Sequence, residues 1–150
     1  MESIKNTMMK NFLITLLFAI SISQINAQEL GMRFGDVTGG SVAIDAILPI
    51  GETSRIHADL SFGSGVGIDL LWDFIYESLG GEDLHWYAGL GPYAFLGDPF
   101  ALGAVGEVGL EYRFNEIPLV IGVDWRPYFR IIDNTDIGVN SFGLNLRWQL

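Results

Sequence analysis

The chain has 150 residues, which is room for one domain, with a net charge of −10 and no cysteine. This acidic balance excludes the clustered basic face that nucleic acid requires. The lack of cysteine excludes disulfides and thiolate-metal sites. Apolar residues make up 49% of the chain. Beyond residue 27 they alternate with polar residues, and no run there reaches the roughly 20 apolar residues of a transmembrane helix.

Residues 1–27 are predicted to be a cleavable signal peptide. Lys5 and Lys10 supply positive charge, residues 12–22 form an apolar run, and Ala27 offers a small residue at a cleavage site. The apolar run is too short to span a membrane, although a retained helical anchor is the alternative. Both lysines and one acid lie in this segment, so residues 28–150 carry six arginines, 17 acids and a net charge of −11. We therefore expect an exported domain over residues 28–150.

The rest of the chain predicts eight β-strands, because apolar residues recur at every second position between clusters of turn-forming residues. The predicted strands are residues 29–35, 41–50, 55–62, 66–76, 84–91, 102–114, 119 to about 128, and 140–150. Residues 92–101 are predicted to be the longest loop, and residues 130–138 a polar loop. This pattern predicts an all-β, eight-stranded, antiparallel up-and-down transmembrane barrel, with an apolar outer face and a polar interior.

The final strand shows the clearest alternation. Five large apolar residues alternate without a break with glycine, asparagine, arginine and glutamine: Phe142, Leu144, Leu146, Trp148 and Leu150. Such a strand suits a wall with lipid on one side and a polar lumen on the other. This pattern resembles the C-terminal insertion signal of bacterial outer-membrane β-barrels, which ends in alternating apolar residues and a terminal aromatic, whereas here the last residue is Leu150 and the nearest aromatic is Trp148. The resemblance implies that these five residues are the insertion signal of the barrel.

The inward positions of the predicted strands carry a set of charged residues. The expected lumen charge network is Arg33, Asp45, His57, Asp59, Asp69, Glu107, Glu111, Arg113, Asp124, Arg126 and Arg147. An eight-stranded barrel is just wide enough for its own side chains, and the arginine fork pairs well with carboxylates. We therefore expect a plugged lumen; an ion-selective channel is the alternative.

The tight connection at residues 115–118 fixes the register of the sixth and seventh strands. If Asn115 faces Pro118, the numbers of facing residues sum to 233, which places every lipid-facing residue opposite another one. Glu107 then lies opposite Arg126 inside the barrel. A slip by one residue would mix the two faces, so the hydrophobic pattern favours this register.

Aromatic residues cluster at the two ends of the predicted strands. With both chain ends in the periplasm, the inner belt is Trp72, Phe74, Trp86, Tyr112, Phe114 and Trp148. The outer belt is Phe34, Phe62, Trp125 and Phe129. Two such belts are typical of barrels anchored at both membrane interfaces.

Residues 28–150 resemble the small outer-membrane β-barrel family of the OmpA/OmpX-like, Bacteroidota type. The resemblance lies in residues 106–114 (G-E-V-G-L-E-Y-R-F), residues 117–127 (I-P-L-V-I-G-V-D-W-R-P) and the final strand. It implies the outer membrane of a Gram-negative bacterium, reached through the periplasm. The implied partners are outer-membrane lipid, lipopolysaccharide and the barrel-assembly machinery. The implied role is non-enzymatic, structural or surface-interacting, with no cofactor.

A lipid A-modifying enzyme, either a deacylase or an acyltransferase, is the alternative function. The deacylase family uses a histidine and a serine two residues apart, and neither His57 nor His85 has such a neighbour. Ser61 is four residues from His57, about 13 Å along a strand, which is too far for a nucleophile and its base. We therefore predict no catalytic residues.

Two weaker hypotheses remain. Residues 133–136 (D-N-T-D) offer oxygen ligands for calcium or magnesium, but three ligands are few, so a solvated loop is favoured. A soluble ligand-binding barrel would require an apolar lumen and a polar exterior, the inverse of the predicted arrangement.

Overall fold

The computed structural model describes residues 28–150, so the predicted signal peptide lies outside the described residues. The strands are β1 (Glu29–Val37), β2 (Gly40–Pro49), β3 (Arg55–Phe62), β4 (Val66–Ser78), β5 (Leu84–Leu96), β6 (Ala101–Arg113), β7 (Leu119–Trp125), β8 (Tyr128–Ile132), β9 (Asp136–Gly138) and β10 (Phe142–Gln149). Across this described part of the chain, no helix is long and apolar enough to cross a membrane.

The strands form a closed, eight-stranded antiparallel barrel. Each strand from β1 to β7 pairs with the next, and β10 closes the wall by pairing with both β7 and β1. The short strands β8 and β9 continue this wall beyond β7 and β10, because β8 pairs with β6 and β9 pairs with β8. Closure satisfies the backbone hydrogen bonds of the main wall without leaving an open sheet edge.

The two faces of the barrel differ in polarity as the alternation predicts. Thirty-two large hydrophobic residues are exposed, whereas only eight hydrophobic residues are buried. The buried set is mainly polar and includes four arginines and eight carboxylates. A water-soluble domain buries mainly apolar side chains and exposes polar ones. This barrel has the reverse, inside-out distribution of polarity.

The predicted register of β6 and β7 is confirmed. Val108 faces Trp125 and Tyr112 faces Ile121, so each pair of numbers sums to 233. At the next inward position, Arg126 Nε lies 2.9 Å from Glu107 Oε2. A four-residue connection and a strict hydrophobic pattern were therefore enough to place one buried ion pair.

The predicted loop at residues 92–101 is wrong. Strand β5 continues to Leu96, and only residues 97–100 turn the chain before β6. Pro92 suggested a break because proline lacks an N–H. It is accommodated because the ladder between β4 and β5 skips Gly91 and Pro92, while the ladder to β6 continues through Pro92.

The predicted loop at residues 130–138 is also wrong in part. Strand β7 ends at Trp125, and after the break at Arg126 and Pro127 the chain forms the β8–β9 hairpin. Asp133 and Asn134 turn this hairpin with positive φ angles of 65° and 66°, a conformation that asparagine and aspartate tolerate best among residues with side chains. The polar residues of this segment therefore lie in a β-hairpin rather than in an unstructured loop.

Candidate functional site in the barrel interior

The interior has two parts, which differ in chemistry. We call the first the charged lumen; it consists of Glu29, Arg33, Asp45, Arg55, His57, Asp59, Asp69, Asp73, Glu107, Glu111, Arg113, Asp124, Arg126 and Arg147. We call the second the outer cup, a cavity of about 630 Å³ at the end opposite the chain termini. The structure places all eleven residues of the sequence-predicted network in the charged lumen, and each takes part in at least one ion pair.

Glu111 is the centre of the charged lumen nearest the chain termini. Its carboxylate accepts hydrogen bonds from Arg147 Nη2 at 2.5 Å, from Arg113 Nη1 at 3.0 Å and from Arg55 Nη1 at 3.1 Å. The Tyr76 hydroxyl adds a fourth at 2.8 Å. Four charge-assisted donors on one buried carboxylate fix its position and connect β3, β4, β6 and β10 through side chains.

Arg147 connects this centre to the first two strands. Its Nε donates to Glu29 Oε2 at 2.8 Å, and its Nη1 donates to Asp45 Oδ2 at 3.0 Å. Arg147 lies between Leu146 and Trp148 on β10, so its side chain faces inward while theirs face outward. One guanidinium therefore bridges carboxylates from β1, β2 and β6, which is the multidentate role that arginine geometry permits.

His57 occupies the middle of the charged lumen and is fully buried. Its Nε2 lies 2.6 Å from Asp45 Oδ1, and its Nδ1 lies 2.9 Å from Glu107 Oε1. Carboxylates only accept hydrogen bonds, so an imidazolium, which has N–H on both nitrogens, satisfies both partners at once. Tyr87 packs edge-on against the ring at 6.1 Å.

Arg126 is the centre of the charged lumen nearest the outer cup. Its Nε bonds Glu107 at 2.9 Å, its Nη1 bonds Asp59, and Asp69 Oδ2 lies 3.5 Å from Nη1. Asp124 lies 3.7 Å from Nε and is itself held by Arg33 at 2.6 Å. Four carboxylates from four strands thus surround one guanidinium and close the lumen below the cup.

Three members of the charged lumen, Glu29, Arg55 and Asp73, were not in the predicted network. Glu29 and Arg55 each begin a strand, and both have the inward parity of the residues that follow them. Arg55 Nε bonds Asp73 Oδ2 at 2.8 Å, and its guanidinium lies between the rings of Tyr76 and Tyr87 at 4.3 and 4.5 Å. Extending the alternation to the first residue of each strand would have found Glu29 and Arg55.

The histidines do not form a nucleophile–base pair among residues 28–150. Ser61 donates its hydroxyl to the Thr38 carbonyl, while both His57 nitrogens contact carboxylates. His85 stacks on Tyr76 with ring centroids 4.9 Å apart. The geometry therefore provides two packed histidines and a hydroxyl directed at the backbone.

His57 also belongs to both groups in the described chain that have the donor types of a metal site. One group adds Asp45 and Asp59, and the other adds Asp73 and Glu107. Imidazole and carboxylate ligands suit zinc. However, Arg126 Nη2 lies only 3.1 and 3.3 Å from the two ring nitrogens, so a guanidinium already supplies positive charge there. The D-N-T-D turn is in neither group.

The outer cup has apolar and aromatic walls. Tyr93, Val105 and Tyr128 pack together with Leu71, and Phe95 and Ala101 continue the wall towards the rim. The alternation in the sequence does not predict this region, because Tyr93 and Phe95 lie in the predicted loop at residues 92–101. The cup is therefore the part of the interior that the polar-lumen prediction does not describe.

No family model, curated protein or solved structure matches the chain. The barrel and its interior are therefore the features from which a function can be inferred.

Proposed function

We propose that residues 28–150 form an integral β-barrel of a Gram-negative outer membrane, with a non-enzymatic structural or surface-interaction role. The observation that carries the proposal is the inside-out distribution of polarity on a closed barrel. An apolar outer face is stable against lipid, and closure leaves few unpaired backbone groups in the main wall. A soluble ligand-binding barrel would need the reverse distribution.

The positions of the aromatic residues support the same orientation. Trp148 faces Leu30 beside the chain termini, whereas Phe62 faces Val66 across a turn at the opposite end. These positions suit the two interfacial belts expected from the sequence. With the termini in the periplasm, the outer cup opens towards the cell exterior. Apart from the connection that carries the β8–β9 hairpin, the turns at that end are short, which favours contact with lipopolysaccharide over an adhesin.

The experiment that tests this proposal is membrane fractionation with heat-modifiable gel mobility. We expect the protein in the outer-membrane fraction, with a faster band before boiling than after it. Recovery of a soluble periplasmic protein without this shift would contradict the proposal.

Deleting residues 148–150 should block assembly, since the barrel-assembly machinery is proposed to read the final strand. Normal abundance of the heat-modifiable band would disprove that role.

The charged lumen is proposed to act as a plug. Its arginine–carboxylate pairs fill an interior that is already narrow for eight strands. We expect purified protein in planar bilayers to give no stable conductance. Reproducible single-channel steps that are absent from a mock preparation would show that the plug is open.

The contacts of His57 support a packing role rather than the base of a lipid A-modifying enzyme. A base needs a free nitrogen within reach of its nucleophile, and both nitrogens of His57 have carboxylate partners. Modification of lipid A that is lost in both His57→Ala and His85→Ala would favour the enzyme instead.

A further inference from the structure

The outer cup contains the one arginine of residues 28–150 that forms no ion pair. The chain has six arginines in this range, and the other five all contact carboxylates. Arg130 faces Asp136 across the β8–β9 hairpin without an ion pair between them in the described residues. Its guanidinium lies 6.0 Å from the centroid of the Tyr128 ring, and none of the described carboxylates is within ion-pair distance of it.

Two polar atoms in the cup lack a hydrogen-bond partner although they are buried. They are the Tyr93 hydroxyl oxygen and Arg130 Nε. Both groups can donate a hydrogen bond, and a buried donor without an acceptor is unfavourable. An oxygen acceptor with negative charge would satisfy both.

The barrel register brings these two donors together. Tyr93 on β5 faces Gly103 on β6, and Gly103 faces Arg130 on β8. Gly103 has no side chain between them, and a Cβ there would lie 2.7 Å from the Tyr93 ring. The glycine thus leaves space for both longer side chains on the inner face.

We propose that the outer cup binds a single-chain amphiphile with an anionic oxygen head, of the long-chain carboxylate class. The head would lie at Tyr93 and Arg130, and the chain would lie along Val105, Phe95 and Tyr128. A cavity of about 630 Å³ is within the usual range of roughly 300–1,000 Å³ for small-molecule sites. This inference goes beyond the proposed function: the binding site requires only the closed barrel, whereas the entry route from lipid rests on the proposed membrane location.

The two carboxylates that line the cup, Asp36 and Asp69, form no ion pair with Arg130. Asp69 accepts a hydrogen bond from Thr38 Oγ1 at 2.6 Å and lies 3.5 Å from Arg126, so its charge is balanced at the floor of the cup. Asp36 also lines the cavity and is exposed to solvent. The polarity of the site thus favours an anion at Arg130 over a cation.

The wall offers a route into the cup for such a ligand. Strand β9 pairs only with β8 among the described strands, and the pairing of β1 with β10 stops at Gly35 and Gly143. The cup is lined on either side of this seam by residues 36–39 and 137–141. A chain entering from the surrounding lipid would therefore reach the cavity sideways between β9 and β1.

The test uses the barrel in lipid nanodiscs, with amide NMR spectra recorded during titration with dodecanoate. We expect saturable shifts at Tyr93, Gly103 and Arg130. Dodecylammonium should bind at least about ten-fold more weakly, because it has the same chain and the opposite charge. Equal response to both probes, or shifts that never saturate and spread over the outer face, would overturn the proposal.

Variants then test the two donors. Arg130→Gln should weaken dodecanoate binding roughly ten-fold or more, because it removes the positive charge that faces the carboxylate head. Tyr93→Phe should weaken it several-fold, because it removes one hydrogen-bond donor to that head. Tyr112→Phe, on the outer face, is the matched control and should bind like the unmodified protein. Val105→Trp should abolish binding by filling the cup. Unchanged affinity in Arg130→Gln, with the barrel spectrum intact, would overturn the proposed site.

Discussion

The charged lumen and the outer cup lie in one barrel wall but use their interior differently. In the charged lumen, guanidiniums and carboxylates from facing strands contact one another at distances of up to 3.7 Å. In the outer cup, the walls are aromatic and aliphatic, Arg130 lacks an ion pair, and a cavity of about 630 Å³ remains. Where the strands are continuous, as around the charged lumen, the inward polar side chains pair with one another. In the outer cup, beyond the break in the wall at Pro127, the inward side chains leave space for a ligand.

The largest expected difference between the two regions is the cost of removing one arginine. Arg126→Ala leaves four buried carboxylates without their shared guanidinium, so we expect a loss of about 3–5 kcal/mol in the free energy of unfolding. Arg130→Ala removes no ion pair and should cost less than about 1 kcal/mol. Denaturant unfolding of detergent-refolded protein measures both. Equal losses would mean that the two regions do not differ in their dependence on charge pairing.

A second contrast concerns added volume. A Cβ at Gly109 would lie 2.2 Å from the Tyr87 ring, which is buried at the centre of the lumen. We expect Gly109→Ala to cost about 1–3 kcal/mol of unfolding free energy, because a packed interior resists overfilling. Ala101→Leu enlarges a residue that lines the cup and should be nearly neutral.

The control for the glycine change is Gly106→Ala on the outer face. A Cβ there would meet no atom closer than 3.7 Å. Its unfolding free energy should stay within about 0.5 kcal/mol of the unmodified protein. If Ala101→Leu destabilises as much as Gly109→Ala, the cup is not the loosely filled region that this comparison requires.

The smallest effect is the coupling within one ion pair of the charged lumen. Glu107 and Arg126 are 2.9 Å apart, so the double alanine variant should be less damaged than the two single variants summed. We expect a coupling energy of about 0.5–3 kcal/mol from the double-mutant cycle. Additive losses would show that the surrounding carboxylates, rather than this pair, hold Arg126.

Sequence alternation predicted the charged lumen well because parity alone decides which side of a strand a residue faces. The third strand was predicted with its observed bounds, Arg55–Phe62, and the register of β6 and β7 followed from one short connection. Arg55 was nevertheless left out of the network, because it is the first residue of its strand and no earlier strand residue indicates which face it lies on.

The outer cup could not be predicted in the same way. Tyr93, Gly103 and Arg130 are far apart in sequence, and their contact depends on β5 continuing past Pro92 and on β8 replacing β7 beside β6. Proline and polar residues indicate loops in sequence, whereas here the pairing with a neighbouring strand determines the conformation. Only the assembled wall reveals the cavity.

The central claim is that a membrane separates the two ends of this barrel, and cysteine labelling tests it most directly. The chain has no cysteine, so Ser64→Cys at the rim of the cup and Thr53→Cys in the turn near the chain termini each provide one thiol. Both positions are exposed. In intact cells of a Gram-negative host, a membrane-impermeant maleimide should label Ser64→Cys and should label Thr53→Cys only after the outer membrane is permeabilised. Labelling of both thiols in intact cells, or of Thr53→Cys alone, would contradict the account.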